Sequence, residues 1–111
     1  MKTTEGNKFG GYASIPWNNN GTSKDNNSFT FSLNKMKKYN ILKPEKAIQT
    51  SNSYFAFGEG NSYIYIKINC HSTNDNYCDD YDKIYSATER HELNGGKKNF
   101  TVSSYEVYQI E

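Results

Sequence analysis

This 111-residue chain has almost no net charge, no long apolar run and only two cysteines, and each shortage excludes something. Thirteen basic against twelve acidic side chains leave a formal charge of +1, so no long-range field draws the chain to nucleic acid or to an acidic membrane surface. No stretch approaches the roughly eighteen apolar residues of a membrane-crossing helix. The first residues, Met1-Lys2-Thr3-Thr4-Glu5-Gly6, lack the apolar segment of a secretory signal, and a cytosolic protein is expected. In that compartment Cys70 and Cys78 are expected as free thiols, although their spacing could close a small loop. The glycosylation triplets at Asn20, Asn26 and Asn99 then read as chance in an Asn-rich chain.

Metal and nucleotide motifs are missing as well. Cys70-His71, Cys78, Asp79-Asp80, Asp82 and His91-Glu92 hold the right atoms for a metal, but neither paired zinc-finger spacing nor a His-Glu-x-x-His helix is present. Asp75 to Asp82 lacks the central Gly and closing Glu of a calcium loop, and reads as a solvated acidic loop. Gly58-Glu59-Gly60 precedes a strand, whereas phosphate-cradling glycines lead into a helix. Cys70 and His71 are adjacent, so on a strand end their side chains point to opposite faces and do not form a nucleophile pair. No catalytic residue, metal or cofactor is expected.

What the chain does have is aromatic side chains, 15% of the sequence, ten of them Tyr, against a hydrophobic content of 34%. Tyr can cover a sheet face while keeping its hydroxyl wet, and this size supports one domain, 1–111, with one core. Phe9 to Trp17 reads as a bulged or edge strand, because Gly10-Gly11 weakens pairing and Pro16 cannot donate to it. Asn18 to Asn27 reads as a loop. Phe29, Phe31 and Leu33 alternate with Thr30 and Ser32, the signature of a strand with one buried face. Asn34 to Lys38 reads as a basic turn, and a short strand from Tyr39 stops at Pro44 and resumes over Ala47 to Thr50. Charge alone would allow a helix over 35–49, which Pro44 and the β-branched residues disfavour.

Tyr63 to Ile68 is the clearest strand and is expected to be central. Asn69 to Lys98 reads as a long polar connection with at most a helical turn near residues 87–90. After the turn Asn94-Gly95-Gly96, Phe100 and Val102 and then Tyr105, Val107 and Tyr108 are strand material, broken at Ser103-Ser104. Two functional readings follow from the residues. A thiol in a polar loop is accessible to oxidants, so Cys70 or Cys78 could act as a redox sensor, with Cys78 reacting fast. The paired rings Phe29-x-Phe31 and Tyr63-x-Tyr65 are expected to face the core, and the alternative is a sugar-stacking platform.

Four separated motifs, Asn7-Lys8-Phe9-Gly10-Gly11-Tyr12-Ala13-Ser14 with Trp17, Ser28-Phe29-Thr30-Phe31-Ser32-Leu33, Phe57-Gly58-Glu59-Gly60 and Tyr105-Glu106-Val107-Tyr108, resemble in order and spacing the TLDc domain of the oxidation-resistance family. The resemblance runs from about Lys2 to the end of the chain. It implies an antiparallel β-sandwich of two sheets with little helix, a role in resistance to oxidative damage, binding to the vacuolar proton-pumping ATPase, and no established enzymatic mechanism. By position, Gly10 and Gly11 would allow a tight backbone path, Trp17, Phe29 and Phe31 would be core, and Glu106 would lie on the last strand.

The chain departs from the family pattern in three ways. Relatives carry a helical segment and an apolar strand before the Phe-Gly-Gly-Tyr motif, so the sandwich is expected to be incomplete at its N-terminal side and to self-associate through an uncovered sheet edge. Glu59 stands where the family commonly has Gly, and Asn61-Ser62 replace a polar-acidic pair. Tyr108 replaces a Phe. The expected partner is a protein, vacuolar ATPase subunits by the resemblance, reached from the cytosol beside vesicle or vacuolar membranes.

Overall fold

Short antiparallel strands make up 38% of the computed structural model and helix only 6%; it describes residues 1–17, 20–59, 63–87 and 89–108. The strands are β1 (Lys2–Thr3), β2 (Phe9–Tyr12), β3 (Gly21–Ser23), β4 (Phe29–Ser32), β5 (Lys37–Asn40), β6 (Ile48–Thr50), β7 (Tyr54–Phe57), β8 (Ile64–Lys67), β9 (Asn76–Cys78), β10 (Asn99–Phe100) and β11 (Val102–Ser104). Single turns of 3-10 helix cover Pro44–Lys46 and Glu92–Asn94. One sheet has six strands in the order β10-β9-β8-β7-β6-β3, a second has three, β2-β4-β5, and β1 pairs with β11. The sandwich-like, mainly β architecture read from the sequence is the one observed.

Register decides which side chains meet. Ile48, Phe57, Ile64 and Cys78 lie opposite one another across β6, β7, β8 and β9 and are all buried, so they form the inner face of the larger sheet. Phe9 of the smaller sheet meets this core, its ring edge-on to Phe100 of β10 at 5.2 Å. Gly11 makes this close approach possible. A Cβ on Gly11 would fall 2.6 Å from the Phe57 ring, and a Cβ on Gly10, on the opposite face of β2, would fall 2.9 Å from Phe31. Rings therefore nest on both sides of a strand that has no side chains there. β2 is an edge of its sheet, as its glycines suggest, but Met1 and Lys2 run beside its start through a Lys2–Lys8 bridge and a Phe9 N–H to Met1 carbonyl hydrogen bond of 3.0 Å.

Several expectations are corrected. Period two in β4 is real, but Thr30 and Ser32 are the buried residues while Phe29 and Phe31 are half-buried on the outer face. Small hydroxyl side chains are what the inner face accommodates, with Tyr39 on the neighbouring strand already filling that layer. Trp17 is 38% exposed instead of core; it sits edge-on against Phe55 and Phe57, at 5.8 and 5.0 Å. The stretch read as a loop over 18–27 contains β3, which pairs with β6. Among the described residues strand material ends at Ser104, so Glu106 lies beyond the last described strand, and Tyr105, Val107 and Tyr108 are exposed. Gly60 and residues 61–62 lie outside the described residues, as does Thr88 in the expected helical turn.

The largest correction concerns Asn69 to Lys98. This segment supplies β9 and buries Asn76, Cys78, Asp79, Asp80, Ile84, Tyr85, Ala87, Glu92, Leu93 and Asn94. Much of its polarity is met by hydrogen bonds to neighbouring segments. The Asn76 side chain accepts from Lys67 N–H at 2.9 Å and donates to the carbonyls of Cys70, Thr73 and Phe100, tying three segments together. Asn94 does the same between Asn7, Lys97 and Asn99. Hydropathy cannot distinguish such an anchor from a solvated loop.

Candidate functional site

Both cysteines are free and buried. Cys78 is fully buried on the inner face of β9, and burial pushes its thiol up to about 12. Cys70 is 4% exposed and burial raises it too. A thiolate at neutral pH is thereby disfavoured at both positions, and the accessible thiol that the alternative redox-sensing reading requires is found at neither. Cys70 turns inward and His71 outward, as adjacency implies; His71 stacks on Tyr105 at 5.5 Å.

Asp79 and Asp80, expected in solvent, are buried and held in opposite protonation tendencies. Burial opposes ionisation of Asp79, but a two-point ion pair with Arg90, 2.8 and 2.9 Å, outweighs it and keeps the carboxyl below its ordinary range. His91 lies 3.7 Å from the same carboxylate. Asp80 accepts N–H bonds from Ile84 and Tyr85 on Oδ1, while its Oδ2 has no hydrogen-bond partner among the described residues, and burial raises its carboxyl to about 6. Tyr63 stacks on Tyr85 at 5.4 Å, both fully buried, and the Tyr85 hydroxyl donates to the Ala47 carbonyl at 2.8 Å. The Tyr39 hydroxyl donates to buried Glu92. Among the described residues no three His, Cys, Asp or Glu side chains gather as a cation would require.

Open surface lies elsewhere. On the outer face of the six-stranded sheet, Tyr65 and Tyr77 face one another in register with ring centroids 4.6 Å apart and planes within 10°. Tyr54 adds a third ring 4.6 Å from Tyr65, and the Lys98 ammonium stands 5.3 Å over Tyr77. Gln49, Lys67, Asp75 and Asn99 complete a groove of about 550 Å³. The two faces of the middle ring, Tyr65, are turned on its neighbours. Tyr63 and Tyr65 do not share an environment, because Tyr63 is inside and Tyr65 half-buried outside. Sequence reading missed this stack. Its signal, three tyrosines on successive strands, becomes visible only once register is known.

The family-motif residues serve the framework. Phe9, Gly11 and Phe57 bring the sheets together, and Gly10 makes room for Phe31 within its own sheet; Tyr12 stacks on Phe29 at 5.1 Å, and buried Gly58, at φ +113, turns the chain out of β7 with its N–H on the Ala47 carbonyl. Glu106 accepts from the Tyr108 hydroxyl at the exposed end. No helix among the described residues is long and apolar enough to cross a membrane. No curated protein and no solved structure matches the chain significantly. The family model described as the TLDc domain does match, over residues 1–111, and the chain belongs to that family.

Proposed function

We infer that this chain is a non-enzymatic TLDc interaction domain that contributes to oxidative-stress resistance by docking a protein partner, the peripheral part of the vacuolar proton-pumping ATPase being the partner the family implies. The observation that carries this reading is where the chemistry lies. Cys78, Asp80 and Tyr63 are closed inside the sandwich, while Tyr54, Tyr65 and Tyr77 stand in an open groove beside Lys67 and Lys98. Tyr is the side chain of preference in protein interfaces, since it buries a large ring at low entropic cost and keeps a hydroxyl for a partner's polar group.

The test is binding of the purified chain to the purified peripheral sector of that pump, with Tyr65→Ser/Tyr77→Ser as the variant. Loss of about tenfold or more in affinity, with the thermal midpoint still that of a folded domain, is the expected result. Undiminished binding by the variant would reject the surface, and no binding by the unaltered chain would reject the partner. Cys70→Ser/Cys78→Ser should bind as the unaltered chain does, provided it remains folded.

A further inference from the structure

Charge is spread unevenly over this near-neutral chain. The turn between β4 and β5 runs Leu33-Asn34-Lys35-Met36, and β5 opens with Lys37-Lys38. Leu33 is 53% exposed and Met36 84%, and all three lysines are exposed. The turn is pinned at its base. Leu33 N–H donates to the Lys8 carbonyl at 2.9 Å, Lys8 N–H donates to Asn34 Oδ1, and Lys35 N–H donates to Ser32 Oγ at 3.2 Å. These bonds place exposed Lys8 beside the turn, and exposed Lys2, bridged to Lys8, next to it. Lys37 reaches buried Glu92 at 4.0 Å, and Lys38 lies 4.2 Å over the Phe29 ring.

Met36 adopts φ +53, a left-handed backbone in which Asn or Gly is ordinary and a long apolar side chain is not. Folding gains nothing from an apolar side chain that stays in water at such a position, so its presence calls for a use outside the fold. The arrangement has two exposed apolar side chains in the turn and four exposed lysines, Lys2, Lys8, Lys35 and Lys38, in or beside it, Lys37 being paired with Glu92. A bilayer interface offers the complement in the same order of depth, anionic headgroups above an apolar layer. A purely polyanionic surface would satisfy the lysines and leave Leu33 and Met36 in water. The formal charge of +1 does not oppose this, because distant charges are screened beyond about 8–10 Å at physiological salt.

We propose that the β4–β5 turn docks this chain on an anionic lipid surface, with Leu33 and Met36 entering the interface and Lys2, Lys8, Lys35 and Lys38 facing the headgroups. The surface is separate from the tyrosine groove and does not depend on the partner reading. The experiment is flotation of the full chain with phosphatidylcholine vesicles, with and without phosphatidylserine. Binding is expected only with the anionic lipid, and it weakens as salt rises. Lys8→Gln/Lys35→Gln/Lys38→Gln, which spares Lys37 and its contact with Glu92, loses about fivefold per lysine, on the order of a hundredfold in all.

Met36→Asn suits the left-handed backbone, so its thermal midpoint stays or rises while lipid affinity falls about tenfold. Absence of flotation with the anionic vesicles would overturn the proposal, as would equal flotation without phosphatidylserine or an unaffected Met36→Asn. Lysine-dependent capture by polyglutamate without flotation would overturn it in favour of an acidic protein partner.

Discussion

Gly11→Ala tests the closest approach between the two sheets. The added Cβ would meet three atoms of the Phe57 ring at 2.6 to 2.7 Å, about 1 Å inside an ordinary carbon contact. That ring cannot swing away, because it is 6% exposed and Trp17 stands against it at 5.0 Å. Gly11 is not in the left-handed backbone region, so Ala brings no torsional strain and the effect is steric. Overpacking of this kind costs about 1–3 kcal/mol, and replacing Gly returns about 0.4–1 kcal/mol through the unfolded chain, leaving a net loss of about 1–2 kcal/mol. With an unfolding entropy of about 2.1 cal/mol/K per residue, calorimetry should show a midpoint lower by about 4–9 °C. Gly10→Ala meets only the half-buried Phe31, which can turn toward solvent, and should shift the midpoint by less than half as much. Phe57→Leu combined with Gly11→Ala should cost less than the sum of the two single changes, with a coupling of about 1 kcal/mol between the two sites. A Gly11→Ala protein as stable as the original, or strict additivity of the pair, would refute the argument.

Two further predictions concern buried groups. Asp80 rises from its ordinary 3.8 to about 6 in the folded state, so the folded state binds the proton more tightly and this group's contribution to stability declines as pH rises from about 4 to about 6. Urea unfolding should therefore show the protein losing about 3 kcal/mol relative to Asp80→Asn across that window, at about 1.4 kcal/mol per pKa unit, and a difference that does not vary with pH would reject the assignment. Alkylation of Cys78 by a small thiol reagent should be at least about a thousandfold slower in the native protein than in denaturant, since it requires opening of the core; rapid stoichiometric labelling would show that β9 is not sealed.

Strands were legible where side-chain chemistry and geometry agree. Tyr63 to Ile68 gave β8 because Ile64 and Ile66 are buried in the middle of the larger sheet, and Pro44 marked the break before β6 because it cannot pair. The alternation in β4 was legible as two faces but not as to which one is inside. Inner space there is shared with Tyr39, so Thr30 and Ser32 fit and the phenylalanines cover Gly10 and Tyr12 from outside. β3 escaped notice because Gly21, Thr22 and Ser23 have turn-like chemistry and become a strand only by pairing with β6. The 69–98 segment was misread for a different reason. Asp79, Asp80, Glu92 and Asn76 look solvated to any hydropathy argument, and only their partners Arg90, Tyr39 and the backbone amides make their burial affordable. The tyrosine groove required register, which sequence does not supply.

The pairing of β1 with β11 also bears on how the molecule yields to force. Lys2 sits opposite Ser104 and Thr3 opposite Val102, so the outer ends of the two strands are side by side and point the same way out of the fold. Tension applied through those ends would peel this ladder apart one rung after another, without straining several rungs together in shear. The seam would part before the six-stranded sheet carried any load.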